Sequence, residues 1–328
     1  MESNKDSMLD KAEARDSSND VDVRLLDTIL ASKSLKDDKG LETGAHSLRK
    51  NGLSVELKST PNVRIEKKED HPGIDVFVRD DTPLEFVHVP VIITKGGFDD
   101  VVYNDFHIGR NAHAIIVAGC GIHNDDACNA QHDGIHRFFL DEGADVQYVE
   151  NHYGEGEGSG ERILNPETDV HLGKGAVLRM EMVQIKGVDS TVRTTNAELD
   201  DNATLLVTEK IMTSQKQSAK TIFNVKLNGK DSKCQVTSRS YAIDDSSQKF
   251  ISNIEGNAKC FAHVECDAII RDHGKVTSEP AITANDVDAN MIHEAQIGKI
   301  AGEQLVKLMT LGLSEKEAEK EIINGFLA

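Results

Sequence analysis

A short motif returns along this chain at a nearly constant interval. Gly109-Arg110-Asn111-Ala112, Asp141-Glu142-Gly143-Ala144, Gly173-Lys174-Gly175-Ala176 and Asp200-Asp201-Asn202-Ala203 each end in Gly-Ala or Asn-Ala. Glu255-Gly256-Asn257-Ala258 is a later copy, and Asn228-Gly229-Lys230-Asp231 a degenerate one. Their last residues are 32, 32, 27, 28 and 27 residues apart. A period of about 20 to 50 residues marks a solenoid, propeller or array. The motifs sit between alternating runs such as Ile135–Leu140 and Val146–Glu150, or Thr221–Leu227 and Cys234–Ala242. Strand, tight turn and strand, with Gly or Asn where φ must be positive, fit the coils of a β-helix. A β-sandwich of regular hairpins is the competing architecture, and the even spacing favours the solenoid.

Composition agrees. Aromatic residues make up 4% of the 328 and Trp is absent, so the core must be aliphatic, which suits thin repeated layers. The formal net charge is −19, which argues against nucleic acid and anionic membrane as partners. Five cysteines, an odd number widely scattered, do not form a disulfide framework. No apolar run approaches a membrane span, and the acidic, Ser-rich start lacks a signal-peptide core. A reducing cytoplasm is the expected location.

Three regions are expected. Residues 1–83 form an N-terminal part, with a polar, frayed first ~20 residues and a short helix from Val21 to Ser32. Residues 84–288 form the β-helix core. Residues 289–328 form a helical ending: a helical period runs from His293 to Leu311, and Gly312 stops it. Ser314 and Glu317 then make a capping box for a second helix.

Several groups could carry chemistry. The run from Gly154 to Gly160 lacks the Lys-Ser/Thr of a phosphate-binding loop and reads as a mobile loop, so no nucleotide site is visible. Cys120 ends a strand-like run, and His132 and His136, four apart, share a strand face. Thiol and imidazole suit iron, zinc or copper(I), although a buried structural Cys is the commoner case. Cys260 and Cys266 also share a face. His293-Glu294 is not a zinc-protease motif, because Ile297 stands where the second His would be.

These residues resemble a known family. Gly119-Cys120, Gln131-His132 and Tyr148-Val149-Glu150-Asn151-His152-Tyr153 are similar to the SufB signature. The stretch from Ile292-His293-Glu294-Ala295 to Asn324-Gly325-Phe326 is similar to the ending of the SufB/SufD family. The resemblance covers about residues 85–328. It implies a scaffold for iron–sulfur cluster assembly on a right-handed parallel β-helix with flanking helical parts. It also implies a SufC-like ABC-type ATPase on the C-terminal helices, with Gln304, Leu305, Leu308, Ile322 and Phe326 as contact candidates. ATP hydrolysis would belong to that partner, and the chain itself would not be an enzyme.

By the same resemblance Cys120 matches the sulfur-accepting cysteine, and His293 and Glu294 match the cluster ligands of a subunit interface. The chain is short for SufB and looks like a compact form acting alone as a homodimer. It would take sulfur from a cysteine desulfurase system and pass a transient cluster to recipient apo-proteins. Two positions depart from the pattern. The stretch Arg271–Lys275 lacks the cysteine of the last SufB coil, leaving Cys266 or His273 as substitutes, and Ile292 replaces a Glu. His132 is a further metal candidate. A SufD-like subunit without its own sulfur path is therefore the alternative. A β-helix carbohydrate enzyme is a remote one, because Asp200-Asp201 lies in a repeat turn.

Overall fold

The computed structural model describes residues 21–31 and 38–327. The expected frayed start therefore lies outside the described residues. The chain winds as a β-solenoid of two facing ten-stranded sheets, with successive coils hydrogen-bonded in parallel register. Side chains alternate between the interior and the outside, as in strand Ala130–Leu140.

The repeated motif is one corner of each coil. Its third residue has positive φ: Asn111 (53°), Gly143 (71°), Gly175 (68°) and Asn202 (58°). Its fourth residue turns inward, and Ala112, Ala144, Ala176 and Ala203 are wholly buried. The N–H of the fourth residue donates to the carbonyl of the first, as from Ala203 to Asp200 (3.1 Å). Asn and Gly tolerate the left-handed conformation, and only a small side chain fits the inner bend. The ladder shifts two copies. The degenerate corner closes from Ser232 to Gly229, one residue later than the sequence motif. Phe261 pairs with Lys233, so Cys260 rather than Ala258 lies beside Ser232.

Paired strands occur on both sides of 84–288. At the N-terminal end two antiparallel hairpins finish the sheets, Ala45–Lys50 with Leu53–Lys58 and Val63–Lys67 with Gly73–Val78. Asn51-Gly52 makes the first turn, with both φ values positive. At the other end the helix expected from His293 begins later. Asn290–Gly298 is a strand paired in parallel with Phe261–Ile270, and the next helix starts only at Gly302. The ladder outweighs the helical spacing of Ile297, Ile300 and Leu305. Strands Lys275–Ala284 and Asn290–Gly298 are the last in their sheets, so this end of the ladder is open among the described residues.

Helix α1 (Val21–Ile29) lies on the outside of one sheet and buries Leu25 and Ile29. It crosses strand His113–His123 at Gly119 and Gly121, where an added Cβ would come within 3.0 Å and 3.1 Å of Ile29 and Leu25. Asn151 Nδ2 donates to the carbonyls of Ile29 (2.8 Å) and Ala31 (3.1 Å) and so holds the helix end. Helix α2 (Gly302–Thr310) and helix α3 (Glu315–Phe326) follow the last strand, and the Ser314–Glu317 capping box is formed. Ile323 and Leu327 bury α3 against Tyr241.

The glycine-rich run is ordered rather than mobile. Gly158 N–H donates to Asn124 (3.1 Å) and Gly160 N–H to Asp126 (3.0 Å) in the preceding coil. A Cβ at Gly156, Gly158 or Gly160 would meet a carbonyl oxygen of that loop at 2.4, 2.3 or 2.1 Å. Every second residue faces the neighbouring loop, and glycine is what lets the two backbones approach.

Candidate functional site

The solenoid interior is aliphatic over most of its length, but one part of it is polar. Cys120 points inward from strand His113–His123 and is 1% exposed. Its register neighbour on the next coil is His152. His132 and His136 face them from strand Ala130–Leu140, with Gly134 between the two. Cys120, His132, Gly134, His136, Glu150 and His152 line a common cavity of about 10 Å³.

Several of these groups are paired. Arg49 Nη2 and Nε donate to Asp100 at 2.8 and 3.0 Å, and His132 Nδ1 lies 3.2 Å from the same carboxylate. Burial alone would raise the Asp100 carboxyl, but His132 and Arg49 outweigh it and hold it at about 2. Glu150 is paired with the fully buried Arg193, accepts from Tyr148 Oη (3.0 Å) and lies 3.5 Å from His152 Nε2. Burial opposes its ionisation, yet the guanidinium keeps it well below the usual range. Burial pulls His136 down to about 4 and also lowers His152. Burial, followed by the charges of Asp100 and Glu150, pushes the Cys120 thiol well up.

The polar groups continue along the solenoid axis. Glu150, Met182, Glu209, Ser238 and Cys266 are successive register partners on one sheet, all facing inward. Ser238 Oγ (2.9 Å) and Thr221 Oγ1 (2.8 Å) donate to Glu209, and Arg193 Nε lies 3.7 Å away. Burial raises the Glu209 carboxyl despite that cation. At about 4.8 Å per strand, Glu150 and Cys266 lie about 19 Å apart along the row. Cys266 is buried, which drives its thiol up to about 11.

Beyond Cys266 is the open end. His293 is the register partner of Val264, so it faces inward one row from Cys266, and neither ring nitrogen has a hydrogen bond. Burial, followed by the charge of His263, lowers it. Glu294 points to the opposite face, 3.8 Å from His263 Nε2. The solenoid thus separates two adjacent residues that the resemblance placed together. His273 lies on an exposed corner beside Asp245 (3.4 Å), away from the interior. Of the proposed partner contacts, Gln304, Leu305 and Leu308 lie on α2 and Ile322 and Phe326 on α3. The Phe326 carbonyl accepts from Arg239 (3.0 Å), so that end of α3 faces the solenoid.

Outside the interior, Asp75, Asp105 and His107 are close enough to share a metal ion. Lys68 already bridges the two carboxylates, with Nζ 2.8 Å from Asp105. The residues that sequence reading missed are Asp100, Gly134, Arg193 and Glu209. One signal was available: a charged residue at an inward position of a strand, as Arg193 is between Thr191 and Thr195.

The solenoid thus carries a thiol, imidazoles and carboxylates in its interior and helices toward both ends. The SufBD core domain of the SUF system for iron–sulfur cluster assembly matches residues 101–326, and the chain belongs to this SufBD family. A SufBD family protein of Methanocaldococcus jannaschii is 24% identical over 289 residues, covering 87% of this chain and 90% of that protein. One from Pyrococcus horikoshii is 25% identical over 295 residues, covering 83% of each. SufB of Bacillus subtilis is 39% identical over 69 residues, 20% of this chain and 14% of that protein.

Proposed function

We propose that this protein is a scaffold on which sulfur and iron are joined into a transient cluster, with Cys120 as sulfur acceptor. The Cys120 thiolate attacks the outer sulfur of a donor persulfide, such as one carried by a cysteine desulfurase system. A new S–S bond forms at Cys120, and the donor leaves as its thiolate. The observation that carries this reading is the row Glu150, Met182, Glu209, Ser238 and Cys266, which joins the Cys120 chamber to the open end. Iron and the finished cluster are cargo, held at that end by Cys266 and His293. Glu294 would serve only from the outer face, and His273 is too far out to belong.

Two copies meeting at their open ends would complete both ladders and bring two His293 side chains together. A SufC-like ABC-type ATPase fits α2 and the residue that caps it: Val306, Met309 and Leu311 are 60%, 42% and 76% exposed, and none of the helix residues is buried. Nucleotide hydrolysis belongs to that partner. The protein works in the cytoplasm and hands its cluster to apo-proteins. Anaerobic reconstitution should give an iron–sulfur chromophore that Cys120→Ala and His293→Ala each weaken. An unchanged spectrum in both overturns the assignment. Val306→Asp with Met309→Asp, on the exposed face of α2, should abolish co-purification with the ATPase. The deep burial of Cys120 favours a second reading, a SufD-like subunit without a sulfur path. Mass spectrometry finding no persulfide on Cys120 after incubation with the donor would select it.

A further inference from the structure

Building on the assignment of Cys120 as sulfur acceptor, we infer that Gly134 and His132 form a seat for one further atom, the outer sulfur of a persulfide on Cys120. The interior leaves a gap at Gly134. A Cβ there would stand 2.9 Å from His136 Nε2 and 3.3 Å from His132 Nε2, so the missing side chain keeps the space beside the two imidazoles open. Cys120 lines the same cavity from the facing sheet, and Val91, Leu164 and Pro166 give it an apolar wall.

Size selects the occupant. The donor atoms of Cys120, His132 and His136 do not all lie within 4.8 Å of one another, which is too wide for one metal ion to bind all three. A persulfide reaches further, because its outer sulfur stands about 2 Å beyond Sγ. The cavity, about 10 Å³, has the room of about one water molecule. It admits a single outer sulfur and excludes a longer polysulfide chain or a cluster.

The hydrogen bonds show how the seat holds that sulfur. His132 donates from Nδ1 to Asp100 (3.2 Å), which leaves its Nε2 lone pair on the side of the gap. His152 differs: Arg193 Nη2 donates to its Nδ1 (3.1 Å), so its Nε2 carries the proton and faces Glu150. The outer sulfur therefore sits protonated and donates its S–H to His132 Nε2. The charges of Asp100 and Glu150 oppose loss of that proton, as they oppose ionisation of the Cys120 thiol. The transfer balances. The S–S bond of the donor persulfide anion breaks and the donor leaves as a thiolate. The new S–S bond forms at Cys120, and the proton of the Cys120 thiol ends on the outer sulfur.

The test uses glutathione persulfide with the reduced, full-length protein under argon. Mass spectrometry reads persulfide on each cysteine at equilibrium with glutathione, and the exposed Cys128 is the internal reference. Cys120 should take sulfur in preference to Cys128. Gly134→Ala should lower the ratio of Cys120 to Cys128 persulfide by about 10- to 100-fold, the effect of overpacking by one methyl group. His132→Leu, which removes the acceptor, should lower it by about 2- to 10-fold, the worth of one hydrogen bond. Adding His136→Ala to Gly134→Ala widens the gap again and should restore the ratio. A ratio unchanged in both Gly134→Ala and His132→Leu, with urea unfolding showing each variant folded, overturns the inference and leaves Cys120 as sulfur acceptor. Wild-type protein that carries persulfide on Cys128 and none on Cys120 overturns the sulfur reading itself.

Discussion

Replacing Arg193 with Met tests whether the interior charges are arranged as the structure has them. Arg193 is among the largest fully buried side chains, pairs with Glu150 and donates to His152. Removing it leaves the Glu150 carboxylate buried beside only neutral donors. Breaking a buried pair in this way costs about 3–5 kcal/mol. The cost should depend on pH with a definite sign. In the native protein Glu150 lies well below its ordinary 4.5. Its contribution is full above that value and is lost as the pH falls through the depressed folded value. In the variant, uncompensated burial raises the folded carboxyl, so the penalty is full at about pH 7 and shrinks toward about pH 5 as the group protonates. Urea unfolding followed by circular dichroism at both pH values measures this. The double variant Arg193→Met, Glu150→Gln should recover most of the loss at about pH 7, because the Glu150 charge is gone and Glu209, 3.7 Å from the lost Arg193 Nε, keeps its Thr221 and Ser238 donors. A single-variant cost below about 1 kcal/mol, the range of an exposed pair, would refute the reasoning.

Gly158→Ala forces a Cβ to within 2.3 Å of the Asp126 carbonyl. It should cost about 1–3 kcal/mol, read as a lower melting temperature and faster proteolysis within 154–160. Alkylation followed by mass spectrometry should label the exposed Cys128 quickly and the buried Cys120 and Cys234 far more slowly. Equal rates at Cys120 and Cys128 would contradict the burial. Ser314→Ala removes the capping box of α3 and should cost about 0.5–2 kcal/mol, seen as loss of helical signal on heating.

The solenoid was legible because its corners obey backbone rules that residue identity exposes. Asn111, Gly143, Gly175 and Asn202 announce positive φ, and the alanines after them announce a tight inner bend. The legibility ended where the ladder acts. Cys260 holds the corner place because strand register puts it there, although Ala258 fits the motif better. His293 looked helical because Ile297, Ile300 and Leu305 share a helical spacing, and only pairing with Phe261–Ile270 makes it a strand residue. The same cause hid half of the site. Cys120 and His132 stand out in the sequence, whereas Arg193 and Glu209 are ordinary charges until the alternation turns them inward.

The buried polar row is evidence for function because it works against stability. An aliphatic column at Glu209, Thr221 and Ser238 would continue the neighbouring layers of Val207, Val225 and Val236 without desolvating a carboxyl group. Well-packed apolar replacements of buried polar groups are commonly neutral or stabilising. Glu209→Leu, Thr221→Val and Ser238→Ala together should therefore leave the melting temperature unchanged or raise it. If the row conducts cargo from the Cys120 chamber to the open end, the same triple variant should lose cluster reconstitution while Cys120 still accepts sulfur. Full reconstitution in a stable triple variant would make the row incidental and leave Cys120 without a connection to His293.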